Sequence, residues 1–282
     1  MKMTKGIISG IKRMEIHDGD GLRTTVFFKG CPLRCIWCHN PESLSFSPQI
    51  AKFEQKCVSC GACGGERTQA GVAACPTGAL VEYGIAYEVE ELADILAQDQ
   101  PFFERSGGGV TLSGGECLAQ PAFAAELARI LRARGIGVYV DTCGYVGREV
   151  LEQIMPYVDL FLYDVKAIDP EVHKRCTGRD NAIVLENLKY LSECGCHIEI
   201  RYPLVVGYND GECEAIGAFL RNCRGIERVK VLQYHAFAAS RYDALGMECT
   251  LPETVTRAED VQRAVNTLLG MGLPAVNGIK EG

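Results

Sequence analysis

Short apolar runs alternate with longer segments of helically spaced apolar residues along most of the chain. Strands are predicted at residues 24–30, 109–113, 136–141, 159–165, 197–202 and 228–234. Helices are predicted at residues 88–98, 121–134, 147–155, 183–194, 212–222 and 256–270. Such alternation is typical of a parallel sheet covered by helices. Six strands are too few for a closed eight-stranded barrel, so an open, partial (β/α)6 barrel and a doubly wound sheet are the alternatives.

The segment at residues 52–86 interrupts this alternation, because it is rich in cysteine and glycine and shows little periodicity. Helical spacing resumes directly afterwards, at residues 88–98. We therefore interpret residues 52–86 as a small insert, and residues 1–51 together with 87–282 as one α/β domain.

Polar residues occur near the C-terminal ends of the predicted strands, where parallel α/β folds place their chemistry. Side chains alternate between the faces of a strand, so residues two positions apart share a face. Three polar pairs have this spacing: Asp164 and Lys166, Glu199 and Arg201, and Gln233 and His235. On the last strand, Leu232 and Tyr234 are expected to take the opposite face. The pattern predicts a polar pocket inside a barrel, with a solvent-exposed polar face as the alternative.

Composition and charge narrow the class of protein. Hydrophobic residues make up 47% of the chain and charged residues 23%, as in ordinary soluble domains. The net charge of −7 contains no block of like charges, which argues against a nucleic-acid partner. No run approaches the ~20 apolar residues of a membrane span. Charges also interrupt every apolar run near the N-terminus, so we expect a cytoplasmic protein without a membrane partner.

The chain has 15 cysteines, which in a cytosolic protein indicate metal or redox chemistry. Three of them, Cys31, Cys35 and Cys38, form a C-x3-C-x2-C run. Three thiolates at this spacing can hold three corners of a [4Fe–4S] cluster, which leaves the fourth iron open to a non-protein ligand. The alternative is a zinc site completed by His39.

A second set of cysteines lies in the insert. The spacing C-x2-C-x2-C followed by Cys-Pro resembles bacterial ferredoxins and is formed by Cys57, Cys60, Cys63 and Cys75. We expect these four residues to close one auxiliary [4Fe–4S] cluster, with a structural zinc site as the alternative. The other eight cysteines are expected to be small buried or partly buried residues.

The cysteine run at residues 31–38, with Trp37 before its last cysteine, resembles the signature of the radical S-adenosylmethionine (SAM) superfamily. In that superfamily the open iron binds the amino and carboxylate groups of SAM, and reductive cleavage gives a 5′-deoxyadenosyl radical. Further motifs resemble, in order, the activating enzymes of glycyl radical enzymes, which include pyruvate formate-lyase activase. These motifs are "HDGDGLRTTVFFKGCPLRCIWCHNPES", "SGGGVTLSGGE", "DTCGY", "YDVKAID", "RYPLVVGYND" and "LQYHAFAASRY".

The chain departs from that family at two positions. Asp20 and Cys117 both stand where the family usually has proline. Because proline fixes φ, the first change predicts a less rigid loop.

The resemblance implies a set of SAM-binding residues. Gly114 and Gly115 would lie close to the SAM amino group, with Glu116 nearby. The alternative is that these glycines only form a turn. Trp37 is expected near the adenine, with His39 beside it, and core packing is the alternative for Trp37. The SAM carboxylate and ribose are expected to be bound by Lys166, Arg201 and His235. The alternative for each of these residues is a structural ion pair.

The resemblance also implies a monovalent-cation site beside the SAM carboxylate, formed by Asp141, Thr142 and Asp164. The alternative is that both aspartates pair only with Lys166. Val165, which lies between Asp164 and Lys166, is assigned to the SAM-binding set as well.

The family resemblance implies an oxidoreductase that abstracts a glycine α-hydrogen from a partner glycyl radical enzyme. Cys31, Cys35 and Cys38 would hold the catalytic cluster. Asp18 would lie against the partner's glycine loop, at the mouth of the barrel, with a turn-forming role as its alternative. The chain is expected to be a monomer that receives electrons from flavodoxin or ferredoxin. The rival hypotheses are a radical SAM enzyme acting on a small molecule and a non-enzymatic iron–sulfur electron carrier.

Overall fold

The computed structural model describes residues 5–278, which form one large sheet, one small sheet and the helices around them. The strands are β1 (Lys5–Glu15), β2 (Arg23–Phe28), β3 (Gln49–Lys52), β4 (Leu80–Tyr83), β5 (Ile85–Glu88), β6 (Gly109–Gly114), β7 (Gly137–Thr142), β8 (Leu160–Asp164), β9 (Ile198–Leu204), β10 (Ile226–Gln233) and β11 (Ala275–Asn277). The α-helices are α1 (Gln69–Ala74), α2 (Val89–Ala97), α3 (Gln100–Ser106), α4 (Pro121–Ala133), α5 (Arg148–Ile154), α6 (Pro170–Thr177), α7 (Ala182–Glu193), α8 (Cys213–Leu220), α9 (Ala239–Leu245) and α10 (Ala258–Gly270). Short 3₁₀ helices lie at Pro41–Ser43, Glu54–Lys56, Cys117–Ala119, Met155–Tyr157 and Asp210–Glu212.

The large sheet has the strand order β11-β10-β9-β8-β7-β6-β2-β1-β5. Its six central strands, β2 and β6 to β10, are parallel and lie side by side in chain order. A doubly wound sheet would instead reverse its order at a switch point. The strand order therefore confirms the partial (β/α)6 barrel, which β1 and β5 extend antiparallel on one side and β11 extends parallel on the other.

The outer face of the sheet carries the main hydrophobic core. Val26, Val110, Val138 and Val229 are fully buried there among the covering helices. Helix α4 has the matching amphipathic pattern and buries Leu127 against the sheet. Fully burying one side chain of this size contributes about 1.5–3 kcal/mol. Because the apolar residues take the outer face, the inner face is left to polar side chains.

Side chains on the inner face, most of them polar, lie in rows across neighbouring strands. Asp164, Arg201 and Lys230 are register partners on β8, β9 and β10. The row beneath them consists of Leu162, Glu199 and Arg228. Residues two positions apart on a strand point the same way, so both rows face the barrel interior.

The predicted strands and helices are all present, and their ends lie within two residues of the predicted ones. The pattern does not reveal β1, β5 and β11, which flank the six central strands. In β1, the apolar residues Ile7, Ile8 and Ile11 are followed by charged residues, so the segment lacks the continuous apolar run of a central strand. Within residues 5–278, no helix is long and apolar enough to span a membrane.

The cysteine-rich region is organised around the small sheet, in which β3 and β4 pair antiparallel. The sheet starts at Gln49, and Ile85 already belongs to β5 of the large sheet. Thr68 caps helix α1 by accepting a hydrogen bond from the Gly71 amide at 3.1 Å. A guanidinium nitrogen of Arg67 donates to the carbonyl oxygen of Ala244 at 3.1 Å, which ties the region to the barrel beside α9.

Candidate active site

A cavity of about 700 Å³ occupies the barrel interior and reaches the cysteine loop at the C-terminal ends of the strands. It brings together most of the sequence-predicted site residues. The predicted residues that line it are Asp18, Cys31, Cys35, Trp37, Cys38, His39, Gly114, Gly115, Asp141, Thr142, Asp164, Lys166, Arg201 and His235. Two other predicted residues, Glu116 and Val165, are fully buried and do not line it.

The cysteine loop follows β2 and presents its three thiols to this cavity. Backbone hydrogen bonds anchor the loop to the end of α6, from the Arg34 amide to the Thr177 carbonyl at 2.8 Å and from the Ile36 amide to the Cys176 carbonyl at 3.0 Å. A further bond, from the Gly30 amide to the Ser43 carbonyl at 2.8 Å, holds its start. The loop is thus fixed at its start and in its middle by main-chain contacts.

Burial makes the loop thiols weak acids in the absence of a metal. It raises the pKa of Cys38 to about 12 and the pKa of Cys35 further still. The Cys31 thiol behaves differently, because a hydrogen bond with the neighbouring Cys143 thiol lowers its pKa. Metal binding displaces such protons. Three thiols that line one cavity, with Cys31 buried and Cys35 and Cys38 half-buried, fit a soft, thiolate-bound metal centre. Within residues 5–278, no three His, Cys, Asp or Glu side chains are grouped to hold a single metal ion.

Gly114 and Gly115 allow β6 to approach the cysteine loop closely. A Cβ atom on Gly114, which has φ +117°, would lie 2.2 Å from the Phe28 nitrogen, and one on Gly115 would lie 2.5 Å from the Gly30 oxygen. The amide of Glu116 then donates to that Gly30 carbonyl at 2.8 Å. Gly114 therefore packs against the end of β2 and Gly115 against the backbone at the start of the cysteine loop, and both glycines also line the cavity.

The Glu116 carboxylate is turned away from the cavity and joins β6 to the end of β7. It accepts hydrogen bonds from the Leu118 amide at 3.0 Å, the Thr142 hydroxyl at 2.9 Å and the Cys143 amide at 2.8 Å. Complete burial raises its pKa, and these hydrogen bonds oppose the rise. Glu116 therefore positions Thr142 and Cys143 at the cavity wall.

The two predicted cation ligands Asp141 and Asp164 have different partners. Asp164 accepts from the Lys166 ammonium at 2.5 Å, whereas Asp141 accepts from the Ser113 hydroxyl at 2.6 Å and lies 3.5 Å from the Arg201 guanidinium. Burial raises the pKa of Asp141 to about 6; Arg201 lowers it, and Asp164 raises it further. Asp141 is thus paired with Ser113 and Arg201, and only Asp164 pairs with Lys166.

Asp18 lies at the other end of the cavity from the cysteine loop. It belongs to the turn joining β1 to β2, at the N-terminal end of the parallel strands. One carboxylate oxygen accepts from the Thr25 hydroxyl at 3.0 Å, and the other lies 3.4 Å from the Arg201 guanidinium. Burial disfavours the charged form of Arg201, but Asp141, Asp18 and other carboxylates outweigh it and raise the pKa of Arg201.

Glu199 lies beneath Arg201 and is completely buried. Its carboxylate contacts three cations, with nitrogen–oxygen distances of 3.6 Å to Arg201, 3.0 Å to Lys230 and 2.7 Å to Arg228. Arg228 also pairs with Asp20 at 3.1 Å. Asp20 therefore ties the β1–β2 turn to β10.

Aromatic side chains form one wall of the cavity. Trp37 packs with Tyr234 and is 6% exposed, so it contributes both to a small core and to the cavity lining. The rings of His39, His235 and Phe237 stack in that order with centroid distances of 4.3 Å. The His39 Nε2 atom lies 2.7 Å from the carbonyl oxygen of His235, which fixes the stack to the loop after β10.

The predicted facing of the last strand is confirmed for Gln233 and His235, which line the cavity, and wrong for Leu232 and Tyr234, which line it as well. Val229 and Val231 belong to the outer core, whereas Lys230 and Leu232 face the cavity. The strand ends at Gln233, so alternation stops there and the following loop brings His235 to the cavity. Lys230 was therefore missed as a site residue. Its position between two core valines places it on the opposite face, which is the cavity face. Cys143, which packs against Cys31, was missed as well.

The second cysteine set surrounds a separate cavity of about 40 Å³ in the small-sheet region. Cys57, Cys60, Cys63 and Cys75 all line it. A hydrogen bond from the Leu80 backbone lowers the pKa of Cys75 to about 7, which favours its thiolate. The four predicted auxiliary ligands are thus brought together, although they span 19 positions of the chain from 57 to 75.

Residues 25–220 match the Radical SAM superfamily. The chain is 38% identical to the trans-4-hydroxy-L-proline dehydratase activating enzyme of Clostridioides difficile over 85% of this chain and 87% of that protein. It is 40% identical to the choline trimethylamine-lyase activating enzyme of Oleidesulfovibrio alaskensis over 86% of this chain and 88% of that protein. It is 34% identical to the benzylsuccinate synthase activating enzyme of Thauera aromatica over 85% and 82%.

Two solved structures share the fold. A domain of a pyruvate-formate lyase-activating enzyme from Bacteroides vulgatus is 28% identical, with a TM-score of 0.52 over 61% of this chain and 100% of that one. SuiB from Streptococcus suis, bound to S-adenosylmethionine, has a TM-score of 0.60 over 88% of this chain and 48% of that one, at 14% identity.

The fold and the cysteine loop define this chain as a member of the radical SAM superfamily, which uses a [4Fe–4S] cluster and SAM. Within the superfamily, the chain belongs to the activating enzymes of glycyl radical enzymes.

Proposed function

We propose that this protein activates a partner glycyl radical enzyme through reductive cleavage of SAM and abstraction of a glycine α-hydrogen. The cavity carries the proposal, because it joins the three-thiol loop at one end to the Asp18–Arg201 pair at the other. When bound, a [4Fe–4S] cluster supplies one electron to the SAM sulfonium. The chain's own residues then have to hold SAM, exclude water and receive the partner's glycine.

Cys31, Cys35 and Cys38 would hold the cluster, and the position without a protein ligand is left to SAM. Gly114 and Gly115 line the cavity beside the cluster loop and are small enough to admit the SAM amino group. Lys166, Arg201 and His235 would serve the carboxylate and ribose, and the stacked rings of His39 and Phe237 would flank the nucleoside. Glu116 and Val165 would act indirectly, by fixing the backbone of the cavity wall.

Asp141, Thr142 and Asp164 would hold a monovalent cation beside the SAM carboxylate. Asp141 and Asp164 both line the cavity, and the effect of one carboxylate on the pKa of the other supports a shared cation. The Thr142 hydroxyl already donates to Glu116 at 2.9 Å and accepts from the Gly144 amide at 3.0 Å, so it would offer only its remaining lone pair.

Cys57, Cys60, Cys63 and Cys75 would hold one auxiliary [4Fe–4S] cluster in a separate unit, residues 52–86. Their common cavity and the low pKa of Cys75 support this assignment. We further propose that the protein is a cytoplasmic monomer and that flavodoxin or ferredoxin supplies its electrons.

Anaerobic incubation of the reconstituted protein with SAM and a reductant tests the reaction class. We expect 5′-deoxyadenosine, and its absence would contradict radical SAM chemistry. Adding the glycyl radical enzyme encoded beside this chain tests the substrate class. A glycyl radical signal is expected, whereas 5′-deoxyadenosine without any protein radical would favour a small-molecule substrate.

A further inference from the structure

The lysine and arginine side chains that line the cavity are held by different partners. They are Lys166, Arg201 and Lys230. Lys166 is held by Asp164 at 2.5 Å. One terminal nitrogen of Arg201 serves Asp18 and Asp141, and the other donates to the carbonyl oxygen of His17 at 3.3 Å.

Lys230 has donors to spare. Its ammonium carries three N–H groups, and its one described charged partner is Glu199 at 3.0 Å. The residue is 8% exposed and lines the cavity, so a further donor is available to a group that enters this space. A buried cation with unused donors is costly until an acceptor arrives.

The position of Lys230 relates it to Asp18. Lys230 is the register partner of Arg201 on the neighbouring strand, and both cations contact the same Oε1 atom of Glu199. Arg201 in turn lies 3.4 Å from Asp18. The end of the cavity away from the cysteine loop therefore presents an acceptor, Asp18, and a donor, Lys230, both of which neighbour Arg201.

A glycine loop that enters this cavity has two needs. Every glycine brings one N–H donor and one carbonyl acceptor, and both lose their water when they are buried. Leaving either unpaired costs about 1–3 kcal/mol, so a buried peptide requires an acceptor and a donor from its host. Asp18 meets only the first need, since an ionised carboxylate accepts and does not donate.

We propose that Lys230 is a substrate-binding residue whose ammonium donates a hydrogen bond to a backbone carbonyl oxygen of the partner's glycine loop. The inference rests on the proposed function and adds a specific contact to it. Glu199 is a positioning residue in this account, because it holds the ammonium from beneath without lining the cavity.

The test is the Lys230→Met variant of the full protein, which keeps the side-chain length and removes the donor. We expect KM for the full-length glycyl radical enzyme encoded beside this chain to rise roughly 10- to 100-fold, the range for one charged hydrogen bond. Iron content and SAM affinity should stay within about two-fold of wild type, because Lys230 contacts neither the cysteine loop nor Asp164. Lys230→Arg keeps a donor and should recover most of the affinity.

Two further variants serve as a control for lysine removal and as a substitute if the single variant does not fold. Lys189→Met removes an exposed lysine on α7 and should leave KM unchanged. If Lys230→Met fails to fold because Glu199 loses a cation, the double variant Glu199→Gln/Lys230→Met removes both charges together and should show the same rise in KM.

A soluble Lys230→Met or double variant with wild-type KM would overturn the inference. Loss of SAM affinity with unchanged KM for the partner would also overturn it, by assigning Lys230 to the SAM end of the cavity. Wild-type protein that forms no radical on the partner would remove the proposed function itself, and this role with it.

Discussion

The guanidinium of Arg201 lies 3.4 Å from the carboxylate of Asp18, although 183 positions separate the two residues in the chain. Arg201 also contacts Asp141 at 3.5 Å and Glu199 at 3.6 Å. It therefore connects the proposed cation site near SAM with the proposed peptide-binding end of the cavity. These contacts orient the side chains of Arg201 and Asp18.

Changing Asp18 to alanine should separate radical formation on the partner from SAM cleavage. The variant loses a charged acceptor for backbone N–H groups, each such bond contributing about 1.5–3 kcal/mol. We expect normal iron content and uncoupled 5′-deoxyadenosine formation, but a loss of most glycyl radical, measured by electron paramagnetic resonance. Asp18→Asn keeps the size and one acceptor oxygen and should be intermediate. Wild-type radical yield and rate in Asp18→Ala would exclude the docking role.

Changing single cysteines should distinguish the two proposed clusters. Replacing Cys31, Cys35 or Cys38 by alanine removes a ligand of the SAM-binding cluster and should abolish 5′-deoxyadenosine formation. Replacing Cys60 or Cys75 should lower the iron content from about eight to about four per chain while leaving some SAM cleavage. Iron and sulfide analysis after anaerobic reconstitution provides the measurement.

Two results would contradict the ligand assignment. Variants of the second set that retain eight irons would exclude Cys60 and Cys75 as ligands. Wild-type protein with about four irons and tightly bound zinc would replace the auxiliary cluster with a structural zinc site.

Asp164→Ala should weaken SAM binding through loss of a cation bridge to the SAM carboxylate. Exchanging potassium for tetramethylammonium should reproduce the loss in the wild-type protein and add little in the variant. Equilibrium binding of SAM in the two salts measures both effects. Because Asp164 also pairs with Lys166 at 2.5 Å, Asp164→Asn serves as the control that keeps a neutral partner for this lysine. Unchanged SAM affinity in all of these tests would make Asp164 a structural residue.

The potassium effect on SAM binding should depend on pH. Burial raises the pKa of Asp141 to about 6, so its carboxylate is mostly charged at pH 7.5 and mostly protonated at pH 5. Only the charged form coordinates a cation, so the potassium-dependent gain in SAM affinity should fall as the pH drops through 6, by up to about ten-fold per pH unit below it. Asp141→Asn should remove this dependence. A potassium effect that is constant from pH 5 to 7.5 would exclude Asp141 as a ligand.

The central strands were predictable because each is buried on its outer face and most are followed by helices that pack against the sheet. On β8 and β9, the alternation of side chains also predicted correctly which residues face the cavity. Asp164 and Arg201 line it, whereas their neighbours Tyr163 and Ile200 lie in the core. Strand β1 was not predictable in this way, because it pairs antiparallel at the side of the barrel and its C-terminal half is exposed.

The limits of the site prediction have physical causes. Glu116 directly follows the two glycines that line the cavity, but its carboxylate accepts hydrogen bonds from the Thr142 hydroxyl and the Cys143 amide instead of facing the cavity. These donors come from the end of another strand, so the sequence alone does not show that they reach Glu116. Lys230 was overlooked because the two-residue alternation was counted from Gln233 and His235, which assigns Lys230 to the outer face. The strand ends at Gln233, so that alternation does not apply to His235. The location of Asp18 depends on β1 pairing with β2, which sends the connecting turn to the N-terminal end of the barrel.

Glycyl radical formation on a partner tests the central claim most directly. The reconstituted protein, SAM, a reductant and the glycyl radical enzyme encoded beside this chain are combined without oxygen, and the mixture is examined by electron paramagnetic resonance. The account predicts a doublet from a glycyl radical, which collapses when the partner's glycine carries deuterium at its α-carbon, together with transfer of that deuterium to 5′-deoxyadenosine. Formation of 5′-deoxyadenosine that carries no deuterium, with no radical on the partner, would contradict it.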